Sequence, residues 1–163
     1  MRAAVRGRWF VVALALFACI AFAMSVQGGQ WWVIGDTTIG PFGAKRCFED
    51  GCKPAGLNWL GVGDRWMRVG MATWAAGLIS AFTLVVLSGG LAAKRIPKLA
   101  AKTVGVSAAT AAITGTWFWS QFPSDQFTAS YGRGLYLFVA AVAMSAIAVV
   151  LVHRGKPLPV AKT

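Results

Sequence analysis

The chain has 163 residues, of which 57% are hydrophobic and 13% charged, and its formal net charge is +11. That leaves room for one bundle of membrane helices with a substantial loop, and none for a separate soluble catalytic unit. The cations stand at the ends of uncharged runs and not on an aromatic-interleaved face, so they read as topology signals and contacts to membrane lipids, with no nucleic acid as partner.

Trp9 up to Asp36, Val69 to Ala93, Thr103 to Ser124 and Gly134 to Val152 carry no charge. The hydrocarbon core is about 30 Å thick and a helix rises about 1.5 Å per residue, so each run can cross it. The expectation is an all-α membrane protein, a four-transmembrane-helix bundle forming a single domain over 1–163. Its spans are placed at about 9–27, 68–92, 103–122 and 134–152, and its outer loops at about 28–67 and 123–133.

In the first span, Ala21-Phe22-Ala23 has the form of a signal-peptidase site and Leu16-Phe17-Ala18-Cys19 faintly that of a lipoprotein box. The apolar run continues past both and is long enough to span, so it is read as a retained helix, with Cys19 a small buried apolar side chain.

The first outer loop opens with Trp31-Trp32-Val33-Ile34 and Thr37-Thr38-Ile39, punctuated by Gly40, Pro41 and Gly43, which predicts a small β-sheet or hairpin over the membrane. Cys47 and Cys52 follow, with Asp50-Gly51 between them as turn residues. This spacing suits a disulfide clamping a hairpin, and a loop outside the cytoplasm lies in an oxidising compartment that preserves one. A metal would need further ligands, and His153, the single histidine, is predicted on the opposite side, so no metal or other cofactor is expected.

Small residues recur every four positions within the spans: Ala72, Ala76 and Ser80 in the second, Ser107, Ala111 and Gly115 in the third, Ala141 and Ser145 in the fourth. They are assigned to close helix packing inside the bundle.

Charge sets the orientation. Arg2, Arg6 and Arg8, then Lys94, Arg95, Lys98 and Lys102, then Arg154, Lys156 and Lys162 occupy segments free of acids, which predicts that both termini are cytoplasmic. All the acids, Asp36, Glu49, Asp50, Asp64 and Asp125, fall in the other two loops. Trp31, Trp32, Trp59, Trp66, Trp117 and Trp119 gather near the outer ends of the spans, where indoles favour the headgroup level.

Trp32, Gly40-Pro41-Phe42, Cys47 and Cys52 follow the order of a Trp, a Gly-Leu-Trp and two cysteines, and Trp117-Phe118-Trp119 with Tyr131-Gly132-Arg133-Gly134-Leu135-Tyr136 flank a short second loop. In these features the chain resembles the superfamily of claudins, peripheral myelin protein and epithelial membrane proteins. The resemblance implies a tetraspan fold with a large first outer loop that carries the two cysteines. Pro41-Phe42 stands in place of Leu-Trp, and the terminal Val160-Ala161-Lys162-Thr163 lacks the Tyr-Val of junctional claudins.

No Asp, Glu, Lys, Arg or His lies in the middle of any span, against the needs of a proton relay or coupled transporter, and no nucleophile-base arrangement is legible. The protein is therefore read as non-enzymatic: an adhesion or barrier element, or an accessory subunit of a membrane protein assembly, acting through its outer loop. Its partners are other membrane proteins or further copies of itself, with Trp31, Trp32, Phe42, Phe48 and Trp59 as candidate contacts. The alternative is a membrane thiol-disulfide redox protein using Cys47 and Cys52. The short polar ends lean toward a bacterial cytoplasmic membrane.

Overall fold

The computed structural model describes residues 2–94 and 98–154, with side chains from Gly7 onward. The expectations placed on Arg95, on the tail cations Lys156 and Lys162, and on the terminal Val160–Thr163 lie outside the described residues. Among the described residues four α-helices form: α1 (Arg2–Gly28), α2 (Asp64–Ala92), α3 (Lys98–Ser120) and α4 (Arg133–Arg154). The segments Gly7–Gly28, Asp64–Ala92 and Arg133–Arg154 are long and apolar enough to cross a membrane, which makes this a multi-pass membrane protein. The third helix is more polar, because Thr103, Ser107, Thr110, Thr114 and Ser120 dilute its apolar residues.

The helix ends have local causes. Gly29 takes a left-handed φ of 61° just past α1, the usual stop after a last turn. Asp64 lies in the first turn of α2 and Arg154 in the last turn of α4, each complementing the helix dipole.

The buried positions of α4 are Gly134, Phe138, Ala141, Ser145, Ala148 and Val152, and those of α3 are Ala101, Val104, Ala108, Ala111, Gly115 and Phe118. Steps of three and four alternate, the seam of helices crossing at about +20°. The packing face therefore departs from a strict every-four stripe, and one sequence assignment is corrected: Ala72 is exposed, while Thr73, Ala76, Gly77 and Ser80 face inward. Four residues turn a helix about 40° beyond one revolution, so a row of two such steps drifts by about 80° and can leave the seam. Ala76, Ser80, Ala111, Gly115, Ala141 and Ser145 are buried, and Ser107 is half-buried.

Three hydroxyls deep in this apolar bundle are satisfied within their own helices. Thr73, Ser80 and Ser145, each fully buried, donate to the carbonyls of Val69, Ala76 and Ala141 at 2.9, 2.8 and 2.7 Å. The hydroxyls of Thr83 and Ser107 meet at 3.1 Å and tie α2 to α3.

Between α1 and α2 run β1 (Trp32–Ile34), β2 (Thr37–Gly40), β3 (Gly43–Phe48) and β4 (Gly51–Ala55), followed by a 3-10 turn over Asn58–Leu60. A fifth strand, β5 (Ser130–Tyr131), comes from the connection between α3 and α4 and pairs with β1, giving the antiparallel order β4-β3-β2-β1-β5. The expected sheet is present, but it is assembled from both connections and not from the first alone.

Candidate interaction surface

The sheet is fastened to the end of the bundle by aromatic packing. Trp31 and Trp32 are 0% and 1% exposed. The Trp31 ring lies 4.8 Å from Phe138 and 5.6 Å from Phe118, and its indole N–H donates to the carbonyl and the hydroxyl of Ser25, both at 3.3 Å. Trp32 stacks on Phe122 at 4.3 Å, while Trp66 stacks on Phe118 at 4.5 Å and donates from its indole N–H to the Phe118 carbonyl at 3.2 Å. These contacts join α1, β1, α2, α3 and α4 in one apolar plug, in which the indole donors of Trp31 and Trp66 have acceptors.

Small residues make the plug possible. A Cβ on Gly115 would lie 2.6 Å from the Phe138 ring and 3.3 Å from Trp31, so α3 can approach only without a side chain there. At Gly40 a Cβ would meet the Gly29 Cα at 2.4 Å, a backbone-to-backbone contact where β2 crosses the end of α1. Gly132 and Gly134 close on Gln30, whose carbonyl accepts from the Gly134 N–H at 2.8 Å. The glycines of Gly132-Arg133-Gly134 thus serve a close approach between two distant segments as well as a helix start.

Trp31 and Trp32 are therefore corrected from candidate contacts to core residues. An indole near a span end suits the interface or a buried layer equally well, and only the fold of the loop back over the bundle selects between them. The remaining candidates separate by position. Phe42, 61% exposed, packs at 5.2 Å against Trp74, which lies about three turns into α2. Trp59 is 45% exposed and meets Phe127 of the second connection edge-to-face at 5.4 Å. Phe48, 53% exposed, lies at the end of β3 with the Arg46 guanidinium 5.2 Å from its ring.

The β3–β4 hairpin projects from this platform. Its register pairs Cys47 with Cys52 and Phe48 with Gly51 around the two-residue turn Glu49-Asp50, and the cysteines form a disulfide. Gly51 has a φ of 125° and closes the turn from the strand side, so the turn falls one place earlier than the Asp50-Gly51 expected from sequence. The hairpin is held to its neighbour by the Cys47 N–H donating to the Asp36 carbonyl at 2.8 Å. Arg46 and Lys53 stand directly opposite each other on β3 and β4, a like-charge pair that opposes strand pairing and that the covalent clamp offsets. Lys53 and Pro54 on the outer strand discourage further strand addition at that edge. Cys19, the remaining cysteine, is in α1 and unpaired. Among the described residues no group of three or more His, Cys, Asp or Glu side chains converges as metal ligands would.

The chain matches no protein-family model and no curated protein. Its several membrane helices and disulfide-bearing sheet are consistent with a broad tetraspan-like class and single out no particular family.

Proposed function

We propose that this is a non-enzymatic protein of a bacterial cytoplasmic membrane that crosses it four times with both termini inside. It presents a rigid, disulfide-clamped outer sheet to a protein partner, as an adhesion or barrier element or as an accessory subunit of a membrane assembly. The single observation that carries the reading is the division of the sheet. Its base is locked into the bundle by Trp31 and Trp32, while the hairpin bearing Phe48 and the disulfide stands clear of the core. Such rigidity lowers the ordering cost of binding, and exposed aromatics on a fixed support are typical contact residues.

Two points support α3 as the fourth crossing. α1 ends and both α2 and α4 begin beside the sheet, so the helix that leads from the far end of α2 to the start of α4 has to return across the bilayer. Its 23 residues reach about 34 Å. Three of its hydroxyls also donate internally, Thr103 to Ala100, Thr110 to Val106 and Thr114 to Thr110, at 2.8, 3.0 and 2.9 Å, which lowers the cost of placing them in lipid.

The test is chemical cross-linking in native membranes, then isolation in mild detergent, of wild type and of Phe48→Ser and Trp59→Ser variants. Each buried interface aromatic contributes about 2 kcal/mol, so each substitution should weaken the complex about 30-fold while leaving the bundle inserted. Unchanged recovery of every co-migrating protein refutes the outer surface as the contact. A mixed disulfide trapped on Cys47→Ser or Cys52→Ser favours redox use of the pair instead.

A further inference from the structure

On the side of the sheet, the seam between α1 and α4 opens into a groove of about 430 Å³. Its deeper wall is apolar, made by Ala23 and Met24 of α1 and Leu137 of α4, and its rim is polar, made by Gln27, Gln30 and Arg133. Leu137 lies one turn below Arg133 and Met24 nearly one turn below Gln27, so polarity changes over about 5 Å along the bundle axis. A phospholipid has the same order along the same axis, phosphate above acyl chain.

The rim is built and not incidental. Arg133 is flanked by the two glycines that press against Gln30, with a Cβ at Gly132 brought to 2.2 Å from the Gln30 carbonyl oxygen. Its backbone is therefore fixed, and its Nε donates to the Gln30 side-chain oxygen. That bond orients the guanidinium plane and leaves its terminal N–H groups unused by the Gln30 contact. The lining contains no carboxylate, so the cation is uncompensated within the groove, and a planar guanidinium suits the paired oxygens of a phosphate.

We propose that this groove seats an anionic phospholipid of the sheet-side leaflet, with Arg133 and Gln27 at its phosphate and Ala23, Met24 and Leu137 along the upper part of one acyl chain. The volume suits a phosphate and part of one chain, with the rest of the lipid in the bilayer. A second groove of about 480 Å³ lies between α3 and α4, lined by Gly115, Phe138 and Val142 among others, and has no cation in its lining. It provides an internal control that takes chains without selecting headgroups.

The intact protein, reconstituted in phosphatidylcholine vesicles, is photolabelled with a trace of phosphatidylglycerol carrying a diazirine on one acyl chain, or with phosphatidylcholine carrying the same chain. The labelled peptides are mapped by mass spectrometry. Labels on the Ala23–Gly28 turn and the first turn of α4 should favour phosphatidylglycerol about tenfold, and labels in the α3–α4 groove should show no preference. Arg133→Gln should abolish the preference while leaving the overall labelling of the α3–α4 groove and the thermal unfolding unchanged, and Arg133→Lys should restore part of it. Leu137→Trp should reduce labelling by both lipids. Equal labelling by the two lipids in wild type, or an undiminished preference in Arg133→Gln, overturns the proposal. Suppression by soluble glycerol phosphate also overturns it, because the site would then be one for free phosphate. None of these outcomes depends on whether the hairpin binds a protein.

Discussion

Replacing Trp31 separates a core role from a contact role for the residue at the centre of the plug. Trp31→Ala deletes a fully buried ring with aromatic neighbours at 4.8, 5.6 and 6.0 Å and empties the space that Gly115 leaves for it. Buried Trp-to-Ala changes cost about 3–5 kcal/mol, and partial collapse of α3 toward the vacated space would bring the value toward the lower end. Trp31→Phe retains most of the apolar contact but removes the indole N–H, leaving the Ser25 hydroxyl, itself 0% exposed, without that bond. The orphaned oxygen and lost volume together should cost about 2 kcal/mol, and adding Ser25→Ala should recover part of it because the unsatisfied group is then gone. Reversible unfolding by dodecyl sulfate titration in mixed micelles reads each step, with Phe48→Ser as the control expected to change stability by less than about 0.5 kcal/mol. A loss below about 1 kcal/mol in Trp31→Ala, or an equal loss in Phe48→Ser, would refute the division between a buried anchor and a free contact surface.

Cys47→Ser combined with Cys52→Ser opens a ring across a separation of only 5 residues, so the loop-entropy term is about 2 kcal/mol. The hairpin should fray, with faster proteolysis at Glu49-Asp50, while the bundle stays folded; native mass spectrometry that finds both thiols free in the wild type would remove the clamp. A cysteine introduced at Asp125 should react with an impermeant reagent in intact cells and one at Lys98 should not, with a reporter after Thr163 on the cytoplasmic side. Reaction at both positions would show that α3 does not cross.

The membrane helices were legible because crossing a bilayer is a local property: a run of sufficient length without charge, readable from Val69–Ala93 or Gly134–Val152 with no knowledge of neighbours. The Cys47–Cys52 hairpin was legible for the same reason, since a short loop with turn residues brings its own partners into register. Trp31 and Trp32 were not, because burial at the end of a span depends on Phe118, Phe122 and Phe138, contributed by helices far along the chain. The strand at Ser130–Tyr131 is two residues long and has no pattern of its own; only the edge of β1 makes it a strand. Ala72 lost its packing role through helical drift, which a spacing rule alone does not weigh. The groove beside Arg133 exists because Gly132 and Gly134 let α4 begin against Gln30, more than a hundred residues earlier. Local hydrophobicity and turn chemistry thus determined the helices and the hairpin, whereas the strand β5 and the choice between a surface and an interior position were made by non-local contacts, which depend on the shape of the assembled bundle.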